Sequence, residues 1–379
     1  MGRRLRIAAI GLLGVSVLAG AGLAIALHHA APCPASAGPG VAAGASGGNT
    51  MVAILQRCYG PPESLELARL PRPEPGPGQV RVRVVAASVN PLDWHYVRGE
   101  PRVMRLASGM GRPREPRLGA DYAGVIDAVG PGVMAWRPGD EVFGMRAGAF
   151  GEYLVARADG TIARKPENLD FAQAAALPVA ALTALQALRD HGALRPGQKV
   201  LVNGASGGVG TYAVQMAKAM GAEVTGVCST RNVALVRGLG ADRVIDYTRE
   251  DFAGEGAVYD LVVDMVGNRA PAEVLAALRP GGTWVVVGGP SDGPWLGPVA
   301  SLLRALAHAP FASQRIVPFF SVGNRADLEA VARMAAAGKL RPVIERRHPL
   351  REVPAAIEYV ERGRARGKVV IEVAEPPGT

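Results

Sequence analysis

Residues 197–218, GQKVLVNGASGGVGTYAVQMAK, constrain the fold of this chain more than any other stretch. Val200, Leu201 and Val202 form a strand-like run that leads into Gly204-Ala205-Ser206-Gly207-Gly208-Val209-Gly210, and Val214, Met216 and Ala217 then supply an apolar helical face. The start of a helix leaves backbone N–H groups unpaired and carries the positive end of the helix dipole, so a glycine turn at that point favours an anion such as a pyrophosphate. A second strand-like run, residues 223–227, follows at the spacing of a βαβ unit. In that context the glycine pattern denotes a dinucleotide site; its first position is Ala205, with Gly207 and Gly210 as second and third.

A chain of 379 residues exceeds one small core, so two lobes are expected. With 49% hydrophobic and 20% charged residues it reads as globular rather than disordered. The net charge of +9 comes mainly from scattered arginines, without a block of five like charges and with few aromatics, so nucleic-acid binding is excluded as the main function. Cys33, Cys58 and Cys228 are far apart and give neither a CxxC nor a disulfide framework.

The first 50 residues differ from the rest. Arg3, Arg4 and Arg6 precede a charge-free run at residues 7–27, which as a helix would cover about 31 Å, the thickness of a hydrocarbon core of roughly 30 Å. The expectation is one N-terminal transmembrane helix, followed by a flexible tether to residue 50, giving a single-pass membrane location with the side left open. A cleaved leader ending near Ala35-Ser36-Ala37 and initiation at Met51 are the alternatives.

Residues 51–172 read as short strands broken by Gly and Pro (51–56, 79–86, 124–129, 141–143 and 152–155), a β-rich lobe. Residues 173–320 alternate strands (199–202, 223–227, 243–245, 260–263 and 283–287) with helices, which predicts a doubly wound parallel sheet. Residues 321–379 hold a helix at 327–337 and strands at 341–348 and 368–373 that return to the first lobe.

The pattern Gly197-Gln198, Leu201, Ala205-Ser206-Gly207-Gly208, Gly210, Gln215 and Lys218 resembles the quinone oxidoreductase/zeta-crystallin branch of the medium-chain dehydrogenase/reductase superfamily, and the resemblance extends from Met51 to about Val373. It implies an α/β protein with a GroES-like catalytic lobe and a Rossmann lobe. It also implies NADPH-dependent hydride transfer to quinones or α,β-unsaturated carbonyls, a small-molecule substrate, and leaves a homodimer open. An NAD(P)-dependent alcohol or carbonyl dehydrogenase, or a non-enzymatic NADPH-binding adaptor, is the alternative.

NAD specificity in such folds rests on an acidic residue about 20 positions beyond the glycines, but here the neighbourhood is Cys228-Ser229-Thr230-Arg231-Asn232. With no carboxylate there, the Ser229 and Thr230 hydroxyls and the Arg231 guanidinium suit a 2′-phosphate, which favours NADPH over NADH. The candidate cofactor set is thus Ala205, Ser206, Gly207, Gly208, Val209 and Gly210 with Ser229, Thr230 and Arg231. The resemblance adds Thr183, Lys218, Tyr247, Gly267 and Gly288.

Zinc relatives of this superfamily use a catalytic Cys, His and Cys, and those positions fall on Asn90, Ala120 and Val179. Alanine and valine cannot ligate a metal, so no metal is expected. By resemblance Asn90 and Asp93 line the cleft, Asn90 offering amide donors and Asp93 orienting neighbours. Either His95 or Tyr96 relays the proton, Arg98 is structural, and Asp121 and Tyr122 both face the cleft.

Overall fold

The computed structural model describes residues 49–291 and 293–375. Fifteen strands are described: β1 (Thr50–Leu55), β2 (Glu66–Pro71), β3 (Gln79–Val89), β4 (Asp121–Val129), β5 (Glu141–Met145), β6 (Tyr153–Arg157), β7 (Ile162–Arg164), β8 (Lys199–Asn203), β9 (Glu223–Cys228), β10 (Arg243–Asp246), β11 (Tyr259–Asp264), β12 (Leu278–Val286), β13 (Arg315–Pro318), β14 (Ile344–Pro349) and β15 (Lys368–Glu372). The valine-rich runs identified in the sequence all appear. β2, β7 and β13 were not expected, because a three- or four-residue strand or one ending in proline lacks a readable period.

β8 to β13 form a six-stranded parallel sheet in the order β10-β9-β8-β11-β12-β13, so the direction of winding reverses between β8 and β11. β3, β4, β5, β6, β7, β14 and β15 make the second, largely antiparallel sheet, and β1 pairs with β2 beside it. β15 lies antiparallel to β3, which carries the end of the chain back onto the first lobe.

One apolar cluster spans the two sheets, and each lobe has a further cluster of its own. The helix Pro178–Gln186 is buried along nearly its whole length, with Leu182 and Leu185 clustering with Val85, Ala123 and Phe143 of one sheet and Val200, Val202 and Val263 of the other. A helix with apolar residues on every side is stable only between two packed layers, and that is its position here.

At the glycine turn, Gly204 has φ of +90°, a conformation costly for any side chain. A Cβ on Gly210 would meet the Gly204 carbonyl oxygen at 2.1 Å, so helix and turn approach to a distance that glycine alone permits. The non-glycine first position has its own explanation: a Cβ on Gly226 in β9 would lie 3.0 Å from the Ala205 methyl, so the alanine occupies space that Gly226 leaves open.

The expected transmembrane helix, with the bilayer contact through residues 7–27 and the single-pass membrane location built on it, is corrected. No helix among the described residues is long and apolar enough to cross a membrane, and residues 7–27 lie outside the described residues. The longest described helices, Gly208–Ala219 and Arg325–Ala336, have 12 residues each. That length covers about 18 Å against the roughly 30 Å required, and their apolar faces are used in packing on the sheets.

Gly210→Ala should lower stability by about 1–3 kcal/mol, because the added methyl overpacks the turn. Chemical denaturation measures this, and an unchanged midpoint would refute the close approach.

Candidate active site

The end of β3, the start of β4 and the start of β15 are brought level by strand register, Ser88 opposite Asp121 and Val369 opposite Val89. Three polar side chains distant in sequence therefore converge in the junction between lobes: Asn90, Asp121 and Lys368, with exposures of 2%, 0% and 3%. The Lys368 ammonium donates to Asn90 Oδ1 at 2.6 Å and to Asp121 Oδ2 at 3.3 Å. Asp121 Oδ2 also accepts from Asn90 Nδ2 and from the Ser88 hydroxyl, each at 2.9 Å. Asp121 Oδ1 accepts from the Val179 N–H at 3.0 Å, on the helix shared by the two lobes. An ion pair this deeply buried is held by the hydrogen bonds around it as well as by Coulomb attraction.

Asn90 caps the helix Pro91–Arg98, and Asp93, at its third position, accepts from the Asn90 N–H at 2.7 Å. Burial pushes the Asp93 carboxyl from 3.8 up to about 7; the Asn90 N–H opposes this, Asp121 adds to it, and Lys368 opposes it. His95 places Nδ1 2.6 Å from the Glu100 carbonyl and its ring 3.5 Å from that of Trp94, and burial lowers its pKa. Tyr96 is partly exposed, beside Leu92 on the same face. Arg98 makes a two-pronged pair with Glu361 at 2.6 and 2.9 Å, joining this helix to the helix Val353–Glu361.

Asp121 and Tyr122 do not both face the junction. Successive residues of a strand point to opposite faces, so Asp121 enters the junction while Tyr122 lies in the core of the catalytic lobe, its hydroxyl without a hydrogen-bond partner among the described residues. Burial raises the Tyr122 pKa above its ordinary value.

The second half of the site lies at the carboxyl ends of the parallel strands, in the crevice where winding reverses, the expected place for a nucleotide. The helix Gly208–Ala219 starts there from Gly207 with no side-chain cap. The first backbone N–H groups of this helix therefore have no side-chain partner, the arrangement that suits an anion. Asn203, at the end of β8, donates to Asp264 Oδ1 at 2.8 Å, and the same oxygen accepts from the N–H groups of Val266 and Gly267. Gly267 and Gly288 meet at this edge, since a Cβ on Gly267 would lie 3.0 Å from the Gly288 carbonyl. Thr183 sits one turn beyond Val179, its hydroxyl bonded to the Val179 carbonyl at 2.7 Å.

At the end of β9, Asn232 spans Ser206 Oγ at 2.9 Å and Ser229 Oγ at 3.3 Å, tying the glycine turn to the next loop. Thr230 donates its hydroxyl to Asp246 at 2.5 Å, so that oxygen is already engaged. Arg231 is exposed and donates to the Arg364 carbonyl at 2.6 Å, and Tyr247 is half-exposed directly after β10. Lys218 is not brought into this group. It lies in the last turn of its helix, about 15 Å along the axis from the glycines, and is paired with Asp242 at 2.8 Å.

Lys368, Asp246, Asn203, Asp264 and Asn232 were not among the residues selected from sequence. A signal did exist for Lys368: only five of the 42 cationic residues are lysine, and this one opens the apolar run Val369-Val370-Ile371.

A glycine turn at the reversal point of a parallel sheet, facing a buried polar junction on a β-rich lobe, defines the class of two-lobed nicotinamide-dependent oxidoreductases. Residues 76–167 match the alcohol dehydrogenase GroES-like domain family, and residues 239–371 match the zinc-binding dehydrogenase family. The chain is 37% identical over 326 residues to the mouse NAD(P)H oxidoreductase RTN4IP1, mitochondrial, covering 77% of this chain and 81% of the relative. It is 33% identical over 328 residues to the tomato 2-methylene-furan-3-one reductase, covering 83% and 76%. The structure of the quinone oxidoreductase from Coxiella burnetii superposes with a TM-score of 0.75 at 33% identity, covering 86% of this chain and all of that one. The chain belongs to the quinone oxidoreductase-like branch of the medium-chain dehydrogenase/reductase superfamily.

Asp93 generates a pH prediction. The folded state keeps its proton to about pH 7, whereas the unfolded chain releases it near 3.8. Between these values the folded state binds more protons, so stability contributed at this site falls as pH rises. Asp93→Asn should flatten that decline between about pH 4 and 7 in a series of denaturation curves, and an unaltered slope would place the titration elsewhere.

Proposed function

We propose that the protein reduces quinones or α,β-unsaturated carbonyl compounds with NADPH and without a metal ion. The observation carrying this reading is the composition of the junction, where Lys368 already supplies a buried cation to Asn90 and Asp121. The residues do not fit zinc. Of the three positions that hold it in zinc relatives, Ala120 and Val179 have no donor atom and Asn90 is hydrogen-bonded to both charged partners. An added dication would also be repelled by the ammonium.

The crevice does fit a nicotinamide dinucleotide. The uncapped helix start at Gly208–Gly210 suits its pyrophosphate, and the loops around Gly267 and Gly288 admit a close approach. Bound there, the cofactor supplies hydride, and quinones and enones take it up at a conjugated carbon without Lewis-acid help. The remaining tasks fall to the protein. Asn90 has a second amide N–H available to hydrogen-bond the acceptor's oxygen as negative charge develops there. Burial favours the neutral form of His95; with Nδ1 on the Glu100 carbonyl that form presents an Nε2 lone pair, while the Tyr96 hydroxyl can donate a proton. The names of the mouse, tomato and Coxiella relatives, an NAD(P)H oxidoreductase, a furanone reductase and a quinone oxidoreductase, support the same substrate range.

Preference for NADPH rests on Ser229 and Arg231, since the Thr230 hydroxyl is engaged by Asp246. Purified full-length protein should oxidise NADPH with a simple quinone or enone in the presence of a chelator. NADPH binding without turnover of either class would instead favour a non-catalytic role. Arg231→Ala should weaken NADPH binding by about 1–3 kcal/mol with little change for NADH. Equal losses for both cofactors in fluorescence titrations would make Arg231 structural.

A further inference from the structure

We infer that Lys368 is a positioning residue for this reduction: its ammonium fixes the side-chain amide of Asn90 so that one N–H is held ready for the acceptor's oxygen. The inference rests on the proposed function, in which Asn90 contacts the substrate.

An asparagine amide can sit in its site in two orientations that exchange oxygen for nitrogen. Here the choice is forced by its neighbours. Lysine is a donor only and an ionised carboxylate is an acceptor only. With Lys368 Nζ at 2.6 Å, the atom on that side must be Oδ1, and the atom 2.9 Å from Asp121 must be Nδ2. Nδ2 carries two hydrogens and spends one on Asp121; the other has no partner among the described residues. Reversing the amide would aim N–H at an ammonium and a carbonyl oxygen at a carboxylate, two repulsive contacts at near-zero exposure.

A Cβ on Gly208 would come within 3.2 Å of Lys368 Cδ, so the stem runs against the first residue of the cofactor helix. Directly before it, the Gly367 N–H donates to the Ser206 carbonyl at 2.8 Å, and Gly367 bridges Gly207. A slim stem with a compact ammonium lies between the glycine turn and Asn90, in a chain that otherwise uses arginine for nearly all its cations. Lys368 therefore links the element proposed to hold the cofactor with the side chain proposed to meet the acceptor.

The test is a double-mutant cycle on full-length protein with NADPH and one quinone or enone that the wild type reduces. Lys368→Met should lower kcat on the order of tenfold to a hundredfold, while the NADPH dissociation constant from fluorescence titration stays within about threefold. Asn90→Ala should lower kcat similarly, and the double variant should be no worse than the poorer single variant, because both remove the same oriented donor. Additive losses, or an unchanged kcat in Lys368→Met, would overturn the inference. A defect confined to NADPH affinity would overturn it too, by assigning the ammonium to the pyrophosphate. If Lys368→Met does not fold by circular dichroism, the same cycle is run with Lys368→Gln, and failure of both to fold would assign Lys368 to lobe stability alone and overturn the positioning role. Inactivity of the wild type toward both acceptor classes would remove the proposed function and this inference together, whereas an active wild type with additive losses overturns Lys368 alone.

Discussion

The carboxylate of Asp121 has no contact with solvent, so its charge must be stabilised entirely by protein donors. They come from four separate places: Ser88 in β3, Asn90 at the cap of the helix that follows, the Val179 N–H on the helix between the sheets, and Lys368 at the start of the last strand. Each donor must be in place for the charge to be tolerated. The two sheets, the shared helix and the returning chain are thereby held in one relative position, and that position is where the candidate chemistry lies.

From this node the arrangement extends into the cofactor crevice through backbone rather than side chains. The residue before Lys368 bonds to the glycine turn, and Gly208 leaves room for the lysine stem. On the other side, Asp264 gathers Asn203 and the N–H groups of Val266 and Gly267, shaping the loop at the point of strand reversal. Two buried aspartates, one in each lobe, thus organise the walls of one cleft, each by accepting hydrogen bonds from groups that would otherwise be free to rearrange.

Much of this was legible in the chain. Strands such as Val200–Val202 announce themselves because a parallel strand buried on both faces is uniformly apolar, and the glycine turn because its backbone conformation and close approach exclude side chains. The set of Asn90, Asp93, His95 and Tyr96 was chosen by resemblance, and the structure places all four at or near the start of one helix. Tyr122 was misassigned because its neighbour Asp121 was read as a companion, although a strand sends adjacent side chains to opposite faces. The membrane helix was read from hydropathy alone, and no described helix bears it out.

The sequence by itself determined most of the order of strands and helices, the glycine turn and the lack of zinc-ligating side chains at Ala120 and Val179, because these depend on local periodicity and on what a given side chain can do. Only the tertiary structure decided the partners. Lys368 lies 278 positions from Asn90 and 247 from Asp121, and it meets them because β15 pairs antiparallel with β3 in one particular register. It likewise set Lys218 at the far end of its helix, bonded to Asp242, and engaged the Thr230 hydroxyl with Asp246. Hydrogen bonds reach about 3 Å, so which polar groups neutralise one another is fixed by strand register and lobe packing, neither of which is encoded in any single stretch of residues.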